Sequence, residues 1–317
     1  MQRTALNRAA ATLALALAVT GLAGCGDDDS DVDAGGSSSV VTSASPTTAP
    51  TPAPVENAVT ITGVDYGYTL DKPAVDSGTT KITFVNGGKD AHMLAFLQIA
   101  AGKTFADVQA VLKTEDRKDD GTVLTNSEGE NGPFGTPEIL TAGARTTTYT
   151  DLAAGSYALV CFFPTADGKP HFAAGMLAPF TVNAAVTTAV APTPTGEATI
   201  ADGKITIPDL SSGKALLKVS NTGKGNHNFF IAQIAAGKKF EDLVAVVDKY
   251  FAGQAKVTDL PGGFYGGVGA FKPGTSAFVE LDLPPGQYAV ICTEGEGEEE
   301  GNEHFRKTGE KVEFTVA

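Results

Sequence analysis

The sequence predicts an all-β protein built as two tandem β-sandwiches, each interrupted by one helix. Three observations predict it. Short runs rich in β-branched and aromatic residues recur, and apolar and polar residues alternate in Phe278-Val279-Glu280-Leu281-Asp282-Leu283, the pattern of a half-buried strand. Glycine and proline punctuate the runs, as in Pro284-Pro285-Gly286, where they favour tight turns. The same motifs return in the second half, at offsets of 131 residues for Cys161 and Cys292 and 135 for His92 and His227.

Taken in order, residues 1–25 read as a bacterial export signal. Arg3 and Arg8 precede an apolar run from Leu13 to Leu22, too short to span a membrane comfortably. The run ends in Leu22-Ala23-Gly24-Cys25, a lipoprotein processing box in which Cys25 becomes the lipidated first residue. Residues 26–57 are low-complexity Asp, Gly, Ser, Thr and Pro; such a stretch buries too little apolar surface to fold and is expected to be a disordered tether. The first domain, 58–183, offers strands at 59–61, 81–85, 92–99, 146–151, 157–162 and 179–182. A helix falls among them: Phe105, Val108, Val111 and Leu112 share one face, and Thr104 with Asp107 forms a capping box. A second linker, 184–197, carries Pro192-Thr193-Pro194. The second domain, 198–317, repeats the order with strands at 204–207, 215–220, 227–234, 277–283, 288–293 and 311–316. Its helix carries the stripe Phe240, Leu243, Val244, Val247 and Phe251.

The 317 residues carry a net charge of −14. No basic patch is present to neutralise phosphates, which excludes nucleic acid as a partner; the acidic balance suits a basic partner protein or simple solubility. The length after the tether suits two domains, each able to bury a core. Beyond Cys25 there are two cysteines, and an oxidising compartment leaves three ways to keep them: pairing, burial or a metal. A disulfide between Cys161 and Cys292 would bring equivalent points of tandem domains within about 7 Å, and is not expected.

All four histidines and both of these cysteines fall in matching slots. His92, Cys161 and His171 correspond to His227, Cys292 and His304. Two imidazoles and one thiolate make the ligand set of a trigonal copper site, and Met176 follows His171 as a weak axial thioether. Met93, next to His92, points to the opposite strand face and belongs to the core.

The surrounding motifs repeat as well. Asn86-Gly87-Gly88-Lys89-Asp90-Ala91-His92 returns as Asn221-Thr222-Gly223-Lys224-Gly225-Asn226-His227, and Gly155-Ser156-Tyr157-Ala158-Leu159-Val160-Cys161 as Gly286-Gln287-Tyr288-Ala289-Val290-Ile291-Cys292. Pro170-His171-Phe172-Ala173-Ala174-Gly175-Met176 completes the first set. Together these resemble the cupredoxin family, the small blue copper proteins of plastocyanin and azurin type. The resemblance implies Greek-key sandwiches with the first histidine after an Asn-containing loop and the cysteine at a strand end. The last histidine and the methionine share the next loop.

Two departures from the family pattern stand out. Nine residues separate Cys161 from His171, and eleven separate Cys292 from His304, where the family has only a few; an Asp-Gly turn between prolines lets the first insertion bulge outward as a compact loop. Gly175-Met176 becomes Gly309-Glu310 in the second repeat, which therefore lacks the thioether. Its cysteine-to-histidine loop carries Glu294, Glu296, Glu298, Glu299, Glu300 and Glu303, read as a solvated acidic bulge. The first site is the better copper candidate, and a second copper belongs to the second.

The expected function is a lipid-anchored copper protein on the outer side of the cytoplasmic membrane, passing single electrons between redox partners with a surface-exposed histidine edge as the exit. Copper storage or delivery to a donor or acceptor, and a metal-free interaction module, are the alternatives. An enzyme is not expected, because the two sites use every histidine and leave none for a catalytic copper.

Overall fold

The computed structural model describes residues 57–113, 122–125, 135–165, 167–186, 192–251, 254–255, 259–294 and 303–317. The export signal, Cys25, the tether up to residue 56 and Glu296, Glu298, Glu299 and Glu300 lie outside them. The elements in order are β1 (Ala58–Val64), β2 (Gly67–Leu70), β3 (Ala74–Asn86), β4 (Ala95–Gln98), α1 (Phe105–Leu112), β5 (Arg145–Leu152), β6 (Gly155–Val160), a 3-10 turn (His171–Ala174) and β7 (Leu177–Val186). The second half follows with β8 (Gly196–Ala201), β9 (Lys204–Thr206), β10 (Lys214–Asn221), β11 (His227–Ile234), α2 (Phe240–Phe251), β12 (Phe264–Phe271), β13 (Ser276–Asp282), β14 (Gly286–Ile291), α3 (His304–Lys307) and β15 (Lys311–Val316). Strands dominate, and the fold is all-β. Among the described residues no helix is long and apolar enough to cross a membrane.

β3 is long enough to serve both layers of the first half. Residues 74–77 pair in parallel with β7, and from Gly78 onward the strand pairs with β5 and, from Lys81, with β1. A bulge between Asp76 and Ser77 and the positive φ of Gly78 (106°) bend it between these roles. The layers close on a core in which Ile61, Ile82 and Phe84 meet Phe96, Tyr157, Leu159 and Phe180. Strict alternation of half-buried and buried residues along β1 aims Val59 and Ile61 into that core. In the second half β9, β8, β10 and β13 form one layer and β12, β11, β14 and β15 the other, with Ile200, Leu217, Phe229, Ile231, Tyr288 and Val290 between them.

The two halves join through strands that occupy matching places in the sequence. β5 pairs antiparallel with β13, setting Thr148 opposite Val279, 131 residues on. On the other layer Pro137 bridges Val268, again 131 residues on. Segment 135–141 and β12 are laced together by Gly135 N–H to Ala270 O (3.0 Å), Gly269 N–H to Thr136 O (2.7 Å), Gly266 N–H to Ile139 O (3.0 Å) and Thr141 N–H to Phe264 O (2.8 Å). Each half thus offers the same two edges to the other, the self-complementary pattern of a two-fold interface.

Several elements differ from the sequence reading. The expected strand 92–99 is broken: His92 makes only an isolated bridge to Leu140, and β4 starts at Ala95. The Met93 N–H is diverted from the ladder to the Cys161 sulfur, 3.4 Å away. β12 has no counterpart in the sequence reading, because its glycines leave too little side-chain pattern to mark a strand. Gly267 (φ 115°) is instead a close approach of strands, where a Cβ would lie 1.8 Å from the Phe229 carbonyl oxygen. β7 and β8 reach into both ends of the expected 184–197 linker, at Val186 and Gly196. The capping box on α1 is present, and Met93 packs, partly buried, in the cluster that holds Cys161.

Glu138, partly buried in the joining segment, accepts a hydrogen bond from Asn228 Nδ2 (2.8 Å). Burial pushes its carboxyl up to about 7, opposed by that hydrogen bond and reinforced by the charge of Glu294. The folded chain therefore holds a proton that the unfolded chain has already released, so this stabilising share is complete below 4.5 and is lost as pH rises through about 7. Glu138→Gln keeps the acceptor and removes the titration. Urea unfolding should find the variant more stable than the parent at about pH 8, by on the order of 2 kcal/mol, with the difference gone near pH 4.

Candidate metal centres

In the first half β6 delivers Cys161 at its end, and two backbone hydrogen bonds frame it: Cys161 N–H to Met176 O (3.3 Å) and Phe172 N–H to Cys161 O (3.0 Å). The long insertion closes on itself. Pro164 bridges Pro170, Gly168 N–H reaches Thr165 O (2.9 Å) and His171 N–H reaches Phe163 O (2.8 Å). The extra residues leave as a small hairpin and His171 is returned to the cysteine. His92 Nδ1 and His171 Nδ1 stand 3.1 Å apart, with the Cys161 sulfur 3.5 Å from the latter. All three side chains are fully buried. Met176, also fully buried, packs in the same cluster as Cys161, and its terminal methyl lies 3.1 Å from where a Cβ on Gly63 would be.

The second half repeats the framework. Cys292 N–H donates to Glu310 O (3.1 Å), Phe305 N–H to Cys292 O (3.0 Å) and His304 N–H to Glu294 O (2.7 Å). The Cys292 sulfur is 3.4 Å from His227 Nδ1 and 3.5 Å from His304 Nδ1, and the two nitrogens are 3.1 Å apart. In each half the two expected histidines and the cysteine come together, with one donor atom from each lying within 4.8 Å of the others.

Several site residues were not anticipated. Asp65, in the β1–β2 turn, places Oδ1 3.3 Å from His92 Nε2, and Asp202, in the β8–β9 turn, does the same to His227 at 3.2 Å. Each carboxylate accepts a hydrogen bond from Nε2–H, which leaves Nδ1 as the ring nitrogen turned toward the cysteine. Asn86 and Asn221 hold the loops: their Oδ1 atoms accept from Gly88 and Gly223 N–H (2.9 Å each), and their Nδ2 groups bind two carbonyls apiece. At Gly88 and Gly223 a Cβ would fall 2.5 Å from the histidine Nε2 and 2.4 Å from the aspartate oxygen, so only glycine admits the pair. Glu310, 1% exposed, enters the second cluster from the position that Met176 holds in the first. Matching the two β-turns and the Met176–Glu310 slot across the repeats was the signal that could have found these residues.

Two expectations need correction. No histidine edge of the first centre reaches the surface: His171 is fully buried, and the Tyr66 ring sits edge-on to it at 5.0 Å. The acidic loop is not wholly a solvated bulge. Glu294 and Glu303 are half-buried, and Glu303 pairs with Arg306 at 3.1 Å.

Burial pushes the Cys161 thiol up to about 11, partly offset by the Met93 and Phe163 N–H groups. His171 is pushed down to about 4 by burial and then by the proximity of His92. At neutral pH the first cluster is therefore two neutral imidazoles and a protonated thiol. A soft or borderline cation would find His92 Nδ1 already set as an acceptor by Asp65, would bind Nδ1 of His171 with its proton on the unpartnered Nε2, and would displace the thiol proton. Copper fits this donor set: the two buried nitrogens face each other beside the Cys161 sulfur.

No family model matches the sequence, and no curated protein matches it. Among solved structures the chain is similar to a dithionite-reduced auracyanin from Roseiflexus castenholzii (22% identity, 40% of this chain and 98% of the other, TM-score 0.27). It is also similar to auracyanin A, a "blue" copper protein from Chloroflexus aurantiacus (19%, 40% and 98%, 0.25), and to the copper nitrite reductase of Nitrosomonas europaea (12%, 82% and 93%, 0.22).

Asp65→Asn should weaken copper binding at the first centre about ten- to a hundredfold with little change in thermal stability, because the amide no longer fixes the His92 tautomer. Competition titration against a chelator of known affinity measures it; unchanged affinity would leave the aspartate a bystander.

Proposed function

We propose that the chain is a copper protein of the cell exterior that carries single electrons at its first centre, as one of two tandem cupredoxin-like modules spanning 58–183 and 198–317. One observation carries the reading: His92 Nδ1, His171 Nδ1 and the Cys161 sulfur converge in a fully buried pocket, with neutral imidazoles and Met176 beside them. Bound copper would supply the one-electron couple. The protein's own part is to hold the donors in one arrangement for both oxidation states. His92 is fixed through Asp65, His171 by its N–H bond to Phe163, and the cysteine by the Met93 N–H. Burial keeps water from completing the coordination sphere. Electron transfer is favoured over catalysis because the four histidines are divided between the two clusters. The reading also includes anchoring by lipid at Cys25, outside the cytoplasmic membrane.

Storage or delivery of copper is the second reading, and the observation favouring it belongs to the second centre, where the His304 side chain is 17% exposed. Addition of Cu(II) to the purified chain should give an intense blue colour and a reversible one-electron wave from the first centre, and Cys161→Ser should remove that centre's share of both. Colourless binding of Cu(I) alone would favour storage. Absence of stoichiometric copper in protein from copper-supplied cells would leave a metal-free interaction module. Cys25→Ser should shift the chain from the membrane to the soluble fraction of the same cells.

A further inference from the structure

The two centres share a framework but differ at three matching positions. Where the first has Met176, Phe163 and Tyr66, the second has Glu310, Glu294 and Gly203. Glu310 is the most telling. Its Oε1 is satisfied by Gly203 N–H (2.6 Å) and Thr308 Oγ1 (3.1 Å). Oε2, on the same buried side chain, has no aligned hydrogen-bond donor, yet it lies 3.0 Å from His227 Nδ1 and 3.4 Å from His304 Nδ1. A carboxylate oxygen with no aligned donor is thus aimed at the Nδ1 atoms of two imidazoles that also flank the Cys292 sulfur, a placement that a shared cation would stabilise. Glu294, where the first centre has an apolar phenyl ring, sets a second carboxyl within electrostatic reach of both histidines.

We propose that Glu310 is the fourth ligand of the second centre and makes it a divalent-copper site, opposite in preference to the first. The inference rests on copper being what the His-Cys-His clusters hold. Charge decides the direction. One thiolate neutralises Cu(I) and leaves Cu(II) with an unbalanced positive charge, so the fully buried first centre favours the reduced ion. Thiolate plus carboxylate neutralises Cu(II) and leaves Cu(I) with an excess negative charge, so the second favours the oxidised ion. A low-dielectric surrounding amplifies both preferences, and a carboxylate oxygen is a harder donor than a thioether. Gly203 in place of Tyr66 removes the covering ring, which agrees with His304 being partly exposed while His171 is not.

The test uses the full chain with Glu310→Met and, as the near-isosteric neutral variant, Glu310→Gln. Cu(I) and Cu(II) affinities of each centre are measured by chelator competition, with reduction potentials taken on the same samples. In the parent the Cu(II)-over-Cu(I) preference of the second centre should exceed that of the first at least tenfold, a potential lower by about 59 mV or more. Both variants should close that gap at least tenfold, and Glu310→Met should make the spectrum of the second centre approach that of the first. Equal preferences in the parent, or a gap that neither variant moves, overturns the proposal while copper binding itself stands. A carboxylate that serves only as an ion-pair partner for His227 would show as lost thermal stability in Glu310→Gln with copper preference unchanged, and that also overturns it. Failure of the second centre alone to take copper also overturns the proposal, whereas failure of the first centre would refute the electron-carrier reading.

Discussion

An aspartate-to-imidazole hydrogen bond in each half sets the terms for everything around it. With Asp65 and Asp202 accepting hydrogen bonds from Nε2–H, His92 and His227 present Nδ1 to the cysteine as the ligating nitrogen. The bond demands space that only Gly88 and Gly223 leave, and it demands a loop held still. That loop is held by Asn86 and Asn221, whose amides bind backbone on both sides, and by the N–H groups of Lys89 and Lys224, which donate to the same aspartate oxygens. A five-residue consequence thus follows from one interaction: turn aspartate, loop asparagine, loop glycine, following N–H and histidine form a unit. Remove the carboxylate and the imidazole is free to choose its other tautomer, with its lone pair turned away from the thiol.

The cysteine is fixed from a different direction. Its strand ends at Val160, one residue before it, and the chain returns through two backbone bonds that tie the cysteine to residues 172 and 176. Those bonds make the length of the intervening loop immaterial, because the loop closes at Pro164 and Pro170 before the histidine is reached. The same pair of bonds joins Cys292 to residues 305 and 310. An insertion is therefore tolerated where its two ends are already neighbours, and the site sees only those ends.

Much of this was legible in the sequence, and the rest was hidden for identifiable reasons. The ligand residues were readable because two copies of a pattern could be compared and because cysteine with histidine is a rare, chemically specific combination. Strands such as β10, β13 and β14 were readable from alternation and β-branching. β12 was not, because a strand rich in glycine has no side-chain period to read, and its glycines serve backbone contact instead. Asp65 and Asp202 escaped because an aspartate in a turn ordinarily has a local reason to be there; their second role depends on a histidine 27 and 25 residues away. Glu310 was aligned with Met176 and yet not seen as a donor, since the acidic residues around it offered a simpler account as solvated surface. Burial, which sequence does not print, sets it apart from Glu294 and Glu303, which are only half-buried.

The join between the halves gives the two centres a shared physical basis. Leu140 exchanges both backbone hydrogen bonds with His92 (3.0 and 2.9 Å), so segment 135–141 touches the first centre directly. Two residues earlier Glu138 binds Asn228, the neighbour of His227, and Asn228 in turn exchanges side-chain and backbone bonds with Thr293, the neighbour of Cys292. A path of hydrogen bonds joined by short covalent steps of backbone therefore runs from one cluster to the other through a single segment of the first half. The link has no mirror image: Met93, which occupies the place of Asn228, offers no amide, and Gly269, which occupies the place of Glu138, offers no carboxyl. The backbone pairing is close to two-fold, and the side chains laid over it are not. Two copies of one framework have thus been held in register by their strands while the residues facing each pocket diverged, and this is the condition under which two sites in one chain acquire different chemistry without either losing its shape.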